Sequence, residues 1–214
     1  MISYCTTVYN ESQELVRLIT SIRPALFNDD EIVIIQTHKD ESEKDSESYQ
    51  ALKKICEHHA TKYGSFHFQN NFADLKNYMN SLASGQYIIN LDADETMMPF
   101  ALEKIRSTIL ENNIDLYYIP RINIVTGITQ EDIQKWSWKI NEKGWINWPD
   151  YQPRIYKNNG SIKWVSKVHE HLQGFQNHAM IEADGKIAIV HKKTIDKQRQ
   201  QNKLYDEIGL VNEN

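Results

Sequence analysis

The sequence predicts an α/β domain of three layers, in which a mostly parallel central sheet carries helices on both faces. One observation predicts this fold class, and a second one locates a candidate site on it. Short apolar segments rich in β-branched residues alternate with segments of helical periodicity over the first hundred residues, which is the pattern of a parallel sheet with helical crossovers. The last of these apolar segments leads directly into two aspartates, Asp92 and Asp94. Because ligands of such sheets bind beyond the carboxyl ends of the strands, the pattern also locates a candidate site.

Each element of this alternation has its own signal. Apolar runs predict the strands, and apolar residues three and four positions apart predict the helices. Asn10 is the expected N-cap of the first helix, and Gly85 is expected to end the third. In chain order the predictions are a strand at 2–8, a helix at 11–22, a strand at 31–36, a helix around 51–56, a strand at 66–68, a helix at 72–84 and a strand at 87–91.

Length, charge and cysteine content narrow the class of protein. A chain of 214 residues fits one domain, and its net charge of −5 argues against a dedicated nucleic-acid binder. No segment is apolar enough to span a membrane, and the first residues lack the basic start and apolar core of a signal peptide. Cys5 and Cys56 fall in a predicted strand and a predicted helix, so we expect two reduced thiols. The sequence thus predicts a cytoplasmic protein and does not indicate its oligomeric state.

The two aspartates after the fourth strand are the first candidate site residues. If the chain stays extended there, the carboxylates of Asp92 and Asp94 project from the same side of the strand end. Held that way they repel each other unless a cation joins them. Hard oxygen ligands suit Mg²⁺ or Mn²⁺, usually shared with the phosphates of a nucleotide. The alternative is an acidic turn after a strand, since aspartate is common in turns.

Several motifs, through their order and spacing, give the chain a family resemblance. They are Thr7-Val-Tyr-Asn-Glu11, Phe72-Ala-Asp-Leu-Lys-Asn77, Leu91-Asp-Ala-Asp-Glu95, Pro153-Arg-Ile-Tyr156, Trp164, Val168-His-Glu170 and Ile189-Val-His191. Together they resemble the family 2 glycosyltransferases over residues 2–205. The resemblance implies the GT-A fold, a Rossmann-like α/β/α domain with a small β region on the acceptor side. It also implies inverting transfer of a sugar from a nucleotide diphosphate donor, usually a UDP-sugar, to an acceptor hydroxyl.

The resemblance divides the single domain, residues 1–214, by function. It implies that residues 1–95 form the half that binds the nucleotide sugar and that residues 96–193 form the acceptor-side half. Residues 194–214 are expected to form a C-terminal helix or tail that closes over the donor.

The resemblance also assigns the metal site and the base. A divalent cation, Mn²⁺ or Mg²⁺, would offset the charge that develops on the diphosphate leaving group. Asp94 is expected to hold the cation with His191, and Asp92 to contact the cation or the donor ribose. Glu170 is expected to take the proton of the acceptor hydroxyl, because one carboxylate suffices in an inverting displacement. The alternatives are a structural histidine at position 191 and a surface ion pair between Glu170 and Lys167.

The remaining donor contacts are implied by the motifs and by the C-terminal basic residues. Besides Asp92, the implied donor-binding residues are Thr7, Tyr9, Asn10, Glu11, Gln36, Lys76, Asn77, Ala93, Arg154, Lys197 and Arg199. Gln36 is a departure, since the second strand of the family usually ends in an aspartate that contacts the base. Glutamine both donates and accepts hydrogen bonds, so it can still bind a uracil edge. Asp40 in the following loop is either a substitute contact or a solvated residue.

Tryptophans are concentrated in the acceptor-side half. All five lie between residues 136 and 164. Indoles stack on sugar faces and on bases, although they equally form packing layers. We expect Trp145 and Trp148 to belong to an acceptor loop and His169 to act on the acceptor side, facing away from Glu170 if that segment is extended. The sequence leaves a glycan, a protein side chain and a modified nucleobase open as acceptors.

Other functions lack their motifs. The chain has no glycine-rich dinucleotide fingerprint, no Walker phosphate loop and no serine nucleophile elbow, and its His-Glu-His at 169–171 lacks the spacing of a zinc protease. Two alternatives stay open. One is a metal-dependent nucleotide-sugar hydrolase that uses the same predicted metal ligands. The other is a catalytically silent nucleotide-sugar-binding protein, which the missing aspartate at position 36 favours.

Overall fold

A nine-stranded sheet forms the centre of the computed structural model, which describes residues 1–210. These residues also form a two-stranded sheet and six α-helices, none of which is long and apolar enough to cross a bilayer. In chain order the elements are β1 (Ile2–Val8), α1 (Ser12–Ile22), β2 (Glu31–His38), α2 (Glu47–His59), β3 (Lys62–His67), α3 (Phe72–Leu82), β4 (Tyr87–Asn90), β5 (Glu95–Thr96), α4 (Pro99–Asn112), β6 (Leu116–Thr126), α5 (Gln130–Lys135), β7 (Ile146–Lys157), β8 (Lys163–Val165), β9 (His171–Gln173), β10 (His178–Met180), β11 (Ile189–Thr194) and α6 (Ile195–Leu210).

The order of the strands confirms the predicted fold class. Along the central sheet the order is β3-β2-β1-β4-β7-β6-β11-β5, and β10 also pairs with β6. The strands from β3 to β4 are parallel, as are β6, β10 and β11. Strand β7 runs antiparallel to both β4 and β6, and β5 runs antiparallel to β11. The sheet is therefore mostly parallel, while β8 and β9 form a separate hairpin.

The chain changes its direction across the sheet next to β1. It proceeds outward from β1 to β2 and β3 and then returns past β1 to form β4. The carboxyl ends of β1 and β4 therefore flank a crevice of the kind in which open α/β sheets bind ligands. The segment with Asp92 and Asp94 follows β4 directly, so it lies at this crevice.

Each face of the sheet carries its own hydrophobic core, because the central strands are buried on both sides. Side chains alternate along β1, so that Tyr4 packs with α1 and α4 on one face and Cys5 packs with α3 on the other. Cys56 lies in the same hydrophobic core as Tyr4. Both cysteines are buried free thiols, as the sequence predicts. The two cores account for the three-layer arrangement.

Two local predictions at helix ends are wrong. Asn10 does not cap α1. Glu11 occupies the N-cap position, and its carboxylate accepts hydrogen bonds from the backbone N–H groups of Tyr9 and Asn10, each at 3.0 Å. Helix α3 ends before Gly85 rather than at it. Gly85 is needed for close packing instead, since a Cβ there would lie 2.5 Å from the backbone nitrogen of Ser3 in β1.

Candidate active site

A cleft of about 780 Å³ opens beyond the carboxyl ends of β1 and β4. Its walls come from both halves of the chain and from α6. Most of the predicted site residues line it. Those predicted only for donor binding are Thr7, Tyr9, Glu11, Lys76, Ala93, Arg154 and Lys197. Those predicted for the metal, the base or the acceptor are Asp92, Asp94, His191, Glu170 and His169.

Asp92 is neutralised by an arginine from the neighbouring strand. Both of its carboxylate oxygens accept hydrogen bonds from the guanidinium of Arg154 on β7, one of them at 3.1 Å. Burial alone would raise the pKa of Asp92. The positive charge of Arg154 lowers it by a larger amount, so the net pKa lies well below the usual range. Asp92 therefore already has a cationic partner within the chain.

Glu95 extends this pair into a buried charge network that sequence reasoning missed. Its side chain is 0% exposed and accepts hydrogen bonds from Arg154 at 2.9 Å and from Arg121 at 3.2 Å. Its second oxygen accepts the backbone N–H of Asp92 at 2.9 Å. Arg121 also donates to Asp150 on β7 at 2.8 Å. The network fixes the loop after β4 to β6 and β7, and the third acidic residue of the Asp-Ala-Asp-Glu sequence was the available signal.

Asp94 faces a different partner, His191 on β11. The Nε2 atom of His191 lies 3.3 Å from Asp94 Oδ2, and its Nδ1 atom lies 3.1 Å from the side-chain oxygen of Asn123. An amide oxygen only accepts hydrogen bonds, so Nδ1 carries the proton when the ring is neutral, and Nε2 then turns its lone pair toward Asp94. Two ligand atoms that are each about 2.1 Å from one ion, at right angles, lie about 3 Å apart. The pair is therefore spaced as two ligands of one cation.

A lysine already supplies positive charge to Asp94. The Nζ atom of Lys197, on the first turn of α6, lies 3.2 Å from Asp94 Oδ2. Burial alone would raise the pKa of Asp94, but when the His191 ring is protonated, its hydrogen bond and its charge lower that pKa by more, to about 2. The carboxylate is thus ionised and placed to attract a cation.

Asp94 and His191 fit a Mn²⁺ or Mg²⁺ ion. Such ions accept a carboxylate and, in the case of Mn²⁺ especially, an imidazole as ligands. Residues 1–210 hold no group of three or more His, Cys, Asp or Glu side chains arranged to bind a metal ion. The remaining coordination positions would fall to phosphate oxygens and water, as is usual for Mg²⁺.

Glu170 lies in the loop between β8 and β9, which α3 holds in place. Asn77 on α3 brackets Trp164, because it donates to the carbonyl of Trp164 at 2.8 Å and accepts from its backbone N–H at 3.0 Å. The backbone N–H of Phe72, also on α3, donates to the carbonyl of Lys167 at 2.9 Å. Asn77, predicted to bind the donor, does not line the cleft and instead holds this loop.

Lys76 brings a positive charge against Glu170. Its Nζ atom lies 2.6 Å from Glu170 Oε1 and 4.1 Å from the ring centroid of Trp164. The neighbouring His169 has a left-handed backbone conformation, with φ of 52°. His169 and Glu170 both line the cleft. The segment is therefore not extended, and the condition under which His169 was expected to face away from Glu170 is not met.

Gln36 does not reach the cleft. It is buried in β2, where its amide donates to the carbonyl of Tyr49 at 3.0 Å and its oxygen accepts from the hydroxyl of Tyr63 at 2.9 Å. Every residue of β2 is buried, so the hydrogen-bonding groups of Gln36 are used within the protein. Thr37 and Lys39, which follow it, line the cleft instead.

Asn10 and Arg199 also lie outside the cleft. Asn10 is exposed before α1, whereas Arg199 on α6 forms an ion pair with the buried Asp132 of α5 at 2.8 Å. Helix α6 turns Lys197 toward the cleft and Arg199 away from it because residues two positions apart lie on different faces of a helix.

The predicted acceptor tryptophans pack against the protein. The rings of Trp145 and Trp148 lie with their centroids 4.9 Å apart, and neither residue lines the cleft. Trp145 also covers Gly185, where a Cβ would lie 2.6 Å from its ring. This arrangement matches the packing alternative, and the tryptophans that line the cleft are Trp138 and Trp164.

Polar side chains from three strands complete the cleft and were not assigned from the sequence. They are Arg121 and Asn123 on β6, Asp150 and Gln152 on β7, and Lys193 on β11. Within each strand these residues, like His191 and Lys193, are two positions apart, which puts them on the same face of the sheet. That spacing was the signal in the sequence, but only the strand order shows that the three faces meet in one cleft.

The chain matches one family of known proteins over most of its length. Residues 3–190 match the family described as glycosyl transferase family 2. This is most of the chain, so the protein belongs to glycosyl transferase family 2, and the resemblance drawn from the motifs is confirmed. No curated protein matches the chain significantly.

Solved structures of similar fold include TarS of S. aureus. Its crystal structure matches with a TM-score of 0.58 and 13% identity over 89% of this chain and 36% of that chain. TarS 1–349 in complex with UDP matches with a TM-score of 0.58 and 12% identity over 97% of this chain and 64% of that chain. The complex of TarS 1–349 with UDP-GlcNAc matches with a TM-score of 0.55 and 13% identity over 90% of this chain and 58% of that chain. The protein therefore has the GT-A fold, and it spans between about a third and two thirds of these chains.

Proposed function

We propose that the protein is an inverting, divalent-cation-dependent glycosyltransferase that moves a sugar from a nucleotide diphosphate donor to an acceptor hydroxyl. The observation that carries this proposal is the convergence of three side chains on one cleft in a family 2 chain. Asp94 and His191 form a pair suited to a cation, and Glu170 is one of the carboxylates that line the same cleft. TarS, which shares the fold, is described in complex with UDP and with UDP-GlcNAc, which supports a uridine donor as the first to test.

The donor is assigned to the wall that β1, α3 and the loop after β4 provide. Tyr9 and Lys39 stand together at one end of this wall, with the lysine ammonium 5.5 Å from the ring centroid of Tyr9. This end suits a nucleobase, because an aromatic ring and a cation both favour contact with its face. Asp94 and His191 lie toward the phosphates in this assignment. A bound Mn²⁺ or Mg²⁺ would there offset the charge of the leaving diphosphate.

Glu170 is assigned as the general base. As the acceptor oxygen attacks the anomeric carbon, its proton passes to the Glu170 carboxylate, and the bond between that carbon and the diphosphate oxygen breaks on the opposite face. One displacement of this kind inverts the configuration. Lys76 fixes the orientation of the Glu170 carboxylate through the ion pair at 2.6 Å, and Arg154 holds Asp92 beside the proposed donor.

The first test is thermal stabilisation by nucleoside diphosphates and nucleotide sugars, with Mn²⁺ and with a chelator. A ligand at a hundred times its dissociation constant adds about 2.7 kcal/mol to the free energy of unfolding. We expect a shift with a uridine nucleotide that depends on the metal. The absence of a shift with every nucleotide would contradict the proposal.

The second test separates binding from transfer at Glu170. Glu170→Gln keeps the size of the side chain and removes the base, so we expect transfer to fall at least about 100-fold while the donor Kd changes little. The exposed Glu142, which lies outside the cleft, provides the matched control Glu142→Gln. Normal transfer by Glu170→Gln would remove Glu170 as the base. Release of free sugar without any acceptor would favour the hydrolase alternative.

A further inference from the structure

One lysine inside the cleft has no carboxylate partner. The other cations of the inner cleft are all paired: Arg154 with Asp92, Arg121 with Asp150, Lys76 with Glu170 and Lys197 with Asp94. Lys193 forms no ion pair with any carboxylate of residues 1–210, and its Nζ atom donates to the side-chain oxygen of Gln201 at 2.8 Å. Lys39 is also without a carboxylate, but it is exposed at the rim.

The position of Lys193 follows from the strand that carries it. Lys193 lies two residues after His191 on β11, so both side chains leave the strand on the same face. The strand runs parallel to β6, and Lys193 is therefore nearer than His191 to the carboxyl edge of the sheet. Its side chain is half-buried and lines the cleft, where Asp94 and Asp92 attract it from a distance and Arg121 and Lys197 repel it.

A partly desolvated ammonium among other cations is unfavourable unless an anion compensates it. A neutral amide such as that of Gln201 satisfies one donor of the ammonium group and leaves it without a direct contact to an anion. We infer that Lys193 binds an oxygen of the donor diphosphate, next to the Asp94 and His191 pair. This inference rests on the proposed function, since it takes the donor to be a nucleoside diphosphate sugar. A lysine is a suitable phosphate ligand because its charge is compact and its stem adjusts to the ligand.

The neighbouring lysine is the matched control. Lys192 is exposed, and its side chain leaves β11 on the opposite face. Lys192→Met and Lys193→Met make the same change in net charge one residue apart. A loss that arises only from the overall charge of the protein would therefore appear equally in both variants.

The experiment is calorimetric titration of the full chain with UDP, inorganic pyrophosphate and uridine in the presence of Mn²⁺. We expect Lys193→Met to weaken UDP and pyrophosphate roughly 10- to 100-fold, the usual effect of one charge-assisted hydrogen bond. We expect uridine, which lacks phosphate, to bind Lys193→Met and the wild type equally. Lys192→Met is expected to resemble the wild type with all three ligands.

The outcomes separate this inference from the proposed function. If the wild type binds UDP and Lys193→Met binds it equally well, Lys193 is not a diphosphate ligand and the proposed function is untouched. An equal loss in Lys192→Met would also overturn the inference. If the wild type binds neither UDP nor pyrophosphate, both proposals fail together.

A merely structural role is tested by the melting temperature without ligand. Because Lys193 has no anionic partner in the described chain, we expect the melting temperature of Lys193→Met to equal or exceed that of the wild type. A clear fall in the melting temperature, accompanied by equal losses for uridine and UDP, would show that the lysine supports the fold and would overturn the inference.

Discussion

The two aspartates of the Asp-Ala-Asp sequence lie two positions apart and have opposite surroundings. Asp92 is held through both carboxylate oxygens by Arg154, which also binds the buried Glu95. Asp94 meets the imidazole of His191 and the flexible side chain of Lys197. The first carboxylate is part of a fixed charge network, whereas the second meets an imidazole and a lysine ammonium and is the proposed cation ligand.

The difference lies in the groups that face each aspartate. A guanidinium is planar and forms two parallel hydrogen bonds with a carboxylate, so it occupies both oxygens at once. An imidazole leaves a lone pair free for a metal, and a lysine at the start of a helix can move away. Two identical residues in one short motif therefore acquire different roles from partners that come from elsewhere in the chain.

The largest effect, a loss of stability, is expected from removing Arg154, the fixed partner of Asp92. Arg154→Met removes the buried ion pair with Glu95, which is 0% exposed, and also removes the partner of the part-exposed Asp92. Breaking a buried ion pair in this way costs about 3–5 kcal/mol. Urea unfolding measures this change in the free energy of unfolding.

The control is Arg17→Met, because Arg17 pairs with Glu14 on the surface of α1 and such pairs contribute about 0–1 kcal/mol. If both variants lost similar amounts of unfolding free energy, the network around Asp92 would not be a structural element. The contrast between Asp92 and Asp94 would then lose its basis.

The next effect concerns ligand binding and separates the two aspartates directly. Asp94→Asn removes the proposed metal ligand, so we expect the metal-dependent stabilisation by nucleotide, about 2.7 kcal/mol at a hundred times Kd, to disappear. In Asp92→Asn the pair of Asp94 and His191 is intact, so the difference between Mn²⁺ and chelator should persist. Thermal melts of both variants with UDP measure this difference. Loss of metal dependence in Asp92→Asn alone would reverse the assigned roles.

The smallest effect, a change in the affinity for Mn²⁺, is expected from removing the Lys197 ammonium beside Asp94. Lys197 competes with a divalent ion for Asp94, so Lys197→Met should increase the affinity for Mn²⁺ without nucleotide. An ion pair that is partly exposed contributes up to about 1 kcal/mol, which corresponds to an increase of about fivefold at most. Titration with MnCl₂ measures it, with Lys203→Met as the control because Lys203 lies on the same helix and, within residues 1–210, forms an ion pair with Glu207 alone. Weaker Mn²⁺ binding in Lys197→Met would contradict the competition.

Local sequence patterns predicted much of the fold and part of the candidate site. The alternation of strands and helices and the position of Asp94 after a buried strand agree with the structure. Gln36 and Arg199 were expected at the donor, but the first is bonded to Tyr49 and Tyr63 and the second to Asp132. A residue type at the right position in a strand or helix does not reveal which neighbours will take up its hydrogen bonds.

The sequence by itself determined the order of the elements, the class of fold and the family, because periodicity and short motifs are local properties. The tertiary structure decided the partners within the site. Arg154 binds Asp92 across 62 positions, and His191 meets Asp94 across 97 positions. These contacts depend on the order and register in which β4, β7, β6 and β11 assemble. Strand order is set by the packing of the whole sheet, so no single segment encodes which charges meet in the cleft.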